Sequence, residues 1–151
     1  MALDTTPAEV ASIAHSIQLA VAPVFLLSGI GVLLGVLTNR LARVVDRARP
    51  LEERHFVADA SEADELREQL LTLARRARLM NLAITLSTIS ALLVSIVVAL
   101  LFGSALIHFS LAVPVSGLFI LAMISLIGAL LAFLLEVRVA TLSIRIGPRE
   151  R

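Results

Sequence analysis

Three unbroken apolar stretches, Ile13 to Leu37, Leu79 to Phe102 and Leu111 to Leu135, run 24 or 25 residues each without an Asp, Glu or Arg. About 20 helical residues cross the ~30 Å hydrocarbon core of a bilayer, so each stretch is long enough to span it. The expected fold is all-α: an integral membrane protein with three transmembrane helices at 13–37, 79–102 and 111–135, forming a single membrane domain over residues 1–151. Composition agrees, with 58% hydrophobic and only 17% charged residues where soluble domains carry about 25% charge. A water-soluble globular enzyme is the class that this pattern argues against.

The residue types that are missing narrow the chemistry. With no Cys, the chain offers no thiol nucleophile, disulfide or thiolate metal site. All 13 basic residues are Arg; arginine stays charged in proteins, so lysine chemistry such as Schiff-base formation is unavailable. Tyr and Trp are also absent, which leaves Arg, Phe and polar helix ends to set the depth of the helices.

Charge bias predicts orientation. Nine Arg lie between the first and second stretches, four follow the third, and the other two flanks carry none. Short basic loops stay cytoplasmic, so the N-terminus and the loop Gly103 to Ser110 are expected outside, and residues 39–78 and the C-terminus inside. The first stretch is expected to be a retained anchor and not a signal peptide, because its flank carries Asp4 and Glu9 in place of a basic n-region and the apolar run exceeds an h-region.

The loop at 39–78 is patterned. Leu37, Leu41, Val44 and Ala48 follow 4-3-4 spacing, with Pro50 expected to stop the helix. Ser61 with Asp64 resembles a capping box, after which Leu66, Leu70, Leu73, Ala77 and Met80 lead at 4-3-4-3 into the second stretch. Extensions of helices 1 and 2 should therefore form a cytoplasmic helical hairpin. Glu62, Asp64, Glu65 and Glu68 then lie near Arg47, Arg49 and Arg54 at its far end, while Arg40, Arg43, Arg75, Arg76 and Arg78 gather near the membrane without matching acids. Such arginines suit anionic lipid headgroups; a ligand or anion site is the alternative.

Within the first stretch, Ala11, His15, Gln18, Ala22, Gly29 and Val36 share one side at 100° per residue, continued by Arg40, Arg43 and Arg47. Polar groups avoid lipid, so this stripe should either pack against a helix or line a water-filled pathway, with His15, Gln18, Ala22 and Gly29 as the lining candidates. Gly31 and Gly35 form a GxxxG on another face, which suits close helix contact, and Pro23 can kink the helix. In the second stretch Asn81, Thr85, Thr88 and Ser95 form a polar stripe that can bond back to its own helix. In the third, Gly117, Leu121, Ser125, Gly128 and Ala132 form a small-residue seam leading to Glu136. A carboxylate there should be paired, with Arg40, Arg43, Arg78 or Arg138 as candidates; a proton-relay or ion-binding role is the competing reading.

No catalytic constellation is evident. Ser-His-Asp patterns, phosphate loops and GxGxxG are missing, so neither an enzyme nor a cofactor is expected. His15 and His108 lack metal-ligand spacing, and a metal site is not expected; His55 is expected to be solvated. Nothing suggests nucleic-acid binding.

The segments Ala22-Pro23-Val24-Phe25-Leu26-Leu27-Ser28-Gly29-Ile30-Gly31, Asn39-Arg40-Leu41-Ala42-Arg43-Val44-Val45-Asp46-Arg47-Ala48-Arg49 and Arg75-Arg76-Ala77-Arg78-Leu79-Met80-Asn81 resemble the bacterial integral membrane proteins grouped as domain of unknown function family 2721. The likeness runs from about Val10 to Arg145. It implies a bacterial cytoplasmic-membrane protein and brings no catalytic residues. On the residues themselves, Asp46 could brace Arg43 at i−3, within an inner charge cluster of Asn39, Arg40, Arg43, Asp46, Arg47, Arg78, Asn81 and Glu136.

A lone three-helix subunit cannot enclose a pathway, and no internal repeat supplies a second half. The functional expectation is a homo-oligomer forming a small ion channel or pore with the first helix lining it and Gly31, Gly35, Gly128 and Ala132 in packing contacts. The alternative is a non-conducting scaffold or accessory subunit that binds a protein partner through the cytoplasmic hairpin.

Overall fold

A computed structural model describes the backbone at residues 7–107 and 112–142 and the side chains at 17–18, 21–59, 62–103 and 112–141. Three α-helices account for it: α1 (Pro7–His55), α2 (Ala60–Ile107) and α3 (Ala112–Leu142). All three are long and apolar enough to cross a membrane, which marks a multi-pass membrane protein. At 49 and 48 residues, α1 and α2 are each more than twice the ~20 residues that a crossing requires.

The helix ends differ from expectation at two points. Pro50 does not stop α1, which continues to His55. Proline in a helix interior removes one backbone bond at a cost of about 3 kcal/mol, but Pro50 is exposed while Val44 is buried and Leu51 half-buried, so packing on either side of it keeps the helix going. α1 then closes with the Phe56 N–H donating to the Glu52 carbonyl and the Val57 N–H to the Arg54 carbonyl. At the start of α2, the Ala63 N–H donates to the Asp59 carbonyl at 2.8 Å. Asp59 thus takes the N-cap position, where Asp is as favourable as Ser, and the Ser61 and Asp64 pair falls inside the first turns.

Buried positions recur every seven residues on α1, at Pro23, Ile30, Leu37 and Val44. On α2 they alternate by three and four at Met80, Ala83, Ser87, Ser90, Val94 and Val97, and on α3 at Ala122, Ser125, Ala129, Ala132 and Glu136. A 3.5-residue period is that of left-handed coiled-coil packing. The facing α2 and α3 rows are mostly Ala and Ser. Apolar side chains gain nothing by leaving lipid for one another, so small residues that let backbones approach supply dispersion contacts instead.

The chain divides into two compact units, Met1–Leu33 with Ser87–Leu126 and Leu34–Leu86 with Ile127–Arg151. In the first, the buried Ser90 hydroxyl donates to the Ala122 carbonyl at 2.9 Å. In the second, Leu37, Val44, Leu66 and Met80 are buried and Leu41, Ala48, Leu70, Leu73 and Ala77 half-buried, so the spaced residues of the α1 and α2 extensions form its core. Here Gly128 matters: an added Cβ would lie 3.1 Å from the Leu86 Cδ1, closer than comfortable contact. Ile120, Ile124, Ile127 and Leu131 of α3 remain exposed, as suits a lipid-facing surface.

Candidate functional site

The second unit gathers its charge around one carboxylate. Glu136 falls seven residues after Ala129 on the buried α3 row, and its side chain is 0% exposed. Arg76 occupies the corresponding row of α2, seven before Ala83, and Arg40 follows the half-buried Leu26 and Leu33 on α1 at the same interval. Three core rows therefore end in charge at one place.

The geometry is that of a clamp. Glu136 Oε1 accepts hydrogen bonds from Arg76 Nε at 3.0 Å and from Arg76 Nη2 at 2.8 Å. Glu136 Oε2 lies 3.1 Å from Arg40 Nη2, an ion pair whose alignment falls short of a hydrogen bond. The Arg40 guanidinium also sits 5.2 Å from the Phe133 ring centroid, a cation–π distance. Side-chain exposure rises from 15% at Arg76 to 31% at Arg40, so Arg76 is the more deeply committed partner. Removing one member of a buried pair strands a charge at a cost of about 3–5 kcal/mol. With cations on both oxygens, this carboxylate ties α1, α2 and α3 together.

Beside the clamp lies a cavity of about 320 Å³ lined by Arg40, Arg43, Val44, Arg47 and Arg76. Arg43 and Arg47 are exposed and make no ion pair among the described residues. A larger cavity of about 1080 Å³ adjoins Asp46, Pro50, Glu65, Glu68 and Thr72. Towards the α1–α2 turn, Arg54 pairs with Glu62 at 3.1 Å, an exposed contact worth about 0–1 kcal/mol.

Of the four candidate partners for Glu136, Arg40 pairs with it; Arg43, Arg78 and Arg138 make no ion pair with it, and Arg76 supplies the second partner. Asp46 is exposed and forms no ion pair with Arg43 among the described residues. Asn39, Arg78 and Asn81 are exposed and stand apart from both cavities. His55 is not solvated as expected: it is half-buried, and its Nδ1 is buried without a partner.

On α1, Gln18, Ala22 and Gly29 are exposed, and an added Cβ at Gly29, Gly31 or Gly35 meets nothing within 4 Å. His15 belongs to α1, but its side chain lies outside those described, as do Ala11 and His108. The α2 stripe of Asn81, Thr85, Thr88 and Ser95 is exposed; Thr85 donates to the Asn81 carbonyl at 2.9 Å and Ser95 to the Ala91 carbonyl at 2.8 Å. On α3 the seam separates, with Gly117 and Leu121 exposed and Ser125 and Ala132 buried. No group of three His, Asp or Glu side chains gathers among the described residues.

Arg76 is the site residue that sequence reasoning placed near the membrane and did not pair with Glu136. The available signal was its seven-residue interval to Ala83, Ser90 and Val97.

No curated protein and no solved structure matches the chain. A family profile does, over residues 20–146, which include all three clamp residues and most of each helix. The chain belongs to that family, described as protein of unknown function, DUF2721.

Proposed function

We propose that the chain works as a homo-oligomer in a bacterial cytoplasmic membrane and that α1 lines a small ion pathway formed at the subunit contacts. The observation that carries this reading is the exposure of Gln18, Ala22 and Gly29 together on a membrane-crossing helix. A polar amide facing hydrocarbon is unfavourable, so that face suits a second subunit or water. Gly31 and Gly35, with open space where a side chain would be, allow another helix backbone to approach closely. His15 would stand one turn before Gln18 on the pathway, on the outer side in the charge-based topology, and no enzymatic chemistry or cofactor is part of this reading. Ion flux into liposomes tests it: wild-type protein should conduct within about pH 5–8, where histidine changes charge, and Gln18→Leu should abolish the flux. Absence of flux from oligomeric wild-type protein would end the pathway reading.

A second reading is supported by a different observation. Phe56 and Val57, at the turn between α1 and α2, are 88% and 86% exposed. Adjacent large apolar side chains at the tip of a cytoplasmic hairpin suit docking of a protein partner, and in that case the protein is a non-conducting scaffold. Proximity labelling in cells compares the two readings: a labelled neighbour lost on Phe56→Ser with Val57→Ser supports the scaffold, and unchanged labelling removes it.

A further inference from the structure

We propose that the cavity of Arg40, Arg43, Arg47 and Arg76 is a binding site for a phosphate group. Arg40, Arg43 and Arg47 follow at i, i+3 and i+7, which places three guanidinium groups on one side of α1 over two turns. Arg76 closes the cavity from α2. Four guanidinium groups thus surround a space of about 320 Å³, large enough for a phosphate with its first substituents. No carboxylate lines this cavity: Glu136 engages Arg40 and Arg76, Asp46, Glu65 and Glu68 line the adjoining larger cavity with Arg47 and Arg76, and Arg43 and Arg47 have no ion pair among the described residues.

The clamp makes this a formed site and not merely a run of positive charge. Glu136 and the Phe133 ring fix Arg40, and two hydrogen bonds to Glu136 Oε1 fix Arg76, so two of the four cations are held before a ligand arrives. Val44, buried between Arg43 and Arg47 in the helix, anchors the α1 wall. Guanidinium groups match phosphate oxygens through paired N–H donors, and a tetrahedral dianion can use several of them at once. Arg40 lies three residues beyond the first apolar stretch and Arg76 three before the second, which puts that end of the cavity at headgroup depth, while Arg47, ten residues past Leu37, reaches about 15 Å beyond the hydrocarbon towards water. The phosphate can therefore belong to an anionic lipid or to a soluble phosphate compound, and the site does not depend on whether the assembly conducts.

The test uses the full-length protein in two settings. In mixed phosphatidylglycerol and phosphatidylcholine nanodiscs, native mass spectrometry counts retained phosphatidylglycerol. In phosphatidylcholine nanodiscs, isothermal titration calorimetry follows binding of inorganic phosphate. Wild-type protein should bind at least one of these probes, and Arg43→Gln with Arg47→Gln should weaken that binding about 25-fold, from about fivefold per lost cation. Both residues are exposed and outside the clamp, so the double variant should keep the wild-type melting curve. Arg49→Gln with Arg67→Gln, which removes two exposed arginines outside the cavity, should bind as wild type. Retention of phosphatidylglycerol alone assigns the headgroup, and saturation by inorganic phosphate assigns a soluble ligand. Failure of both probes, equal binding by the cavity variant, or an equal loss in the control variant would overturn the proposal.

Discussion

Arg76 gives two hydrogen bonds to one oxygen of Glu136, at 3.0 and 2.8 Å, across sixty positions of the chain. Glu136→Ala should therefore destabilise the protein by about 3 kcal/mol, because it strands Arg76 and Arg40 beside a new cavity. Arg76→Ala should cost more than Arg40→Ala, since Arg40 is the more exposed and its partial solvation softens the loss. Unfolding in mild detergent, followed by circular dichroism, checks the order.

Packing between α2 and α3 gives a second prediction. Gly128→Val should destabilise by about 1–3 kcal/mol through overpacking against Leu86. Gly128→Ala should be milder, because the end of a leucine side chain can shift by a few tenths of an ångström. Paired melting curves for these two variants separate steric crowding from a general effect of losing glycine.

Gly31 and Gly35 should behave in the opposite way. Neither would push an added Cβ into the subunit, so Gly31→Leu and Gly35→Leu should lower the melting temperature only as far as they disrupt assembly. The same substitutions should lower energy transfer between differently labelled subunits in liposomes. Unchanged transfer would place the subunit contact elsewhere.

The buried Ser90 hydroxyl yields a smaller effect. Ser90→Ala removes its bond to the Ala122 carbonyl and should cost about 0.6 kcal/mol, the typical size of a side-chain hydrogen bond between membrane helices. Denaturant titration against wild type measures it.

Much of this arrangement could be read from sequence, and the reasons are physical. Hydrocarbon thickness fixes the length of an apolar run, so three helices with crossing potential were legible. Leu37, Val44, Leu66 and Met80 announced the core of the helical extensions by spacing alone, because leucine and valine are conspicuous among polar neighbours. Ser125 and Ala132 of the α3 seam were legible, but the rest of the α2 and α3 rows was harder to see: Ala83, Ser87, Ala122 and Ala129 are small residues in a background of larger apolar ones, and burial there follows from close backbone approach. Arg76 was missed as a partner of Glu136 for the same reason, since its row is marked by Ala83 and Ser90. Pro50 misled because the local cost of proline is overridden by the packing of Val44 and Leu51.

Assembly is the premise on which an α1-lined pathway depends, and the native mass of the full-length protein released from nanodiscs tests it most directly. The expected result is one closed oligomer, reduced to smaller species by Gly31→Leu with Gly35→Leu. A monomer or a dimer would contradict a central pathway.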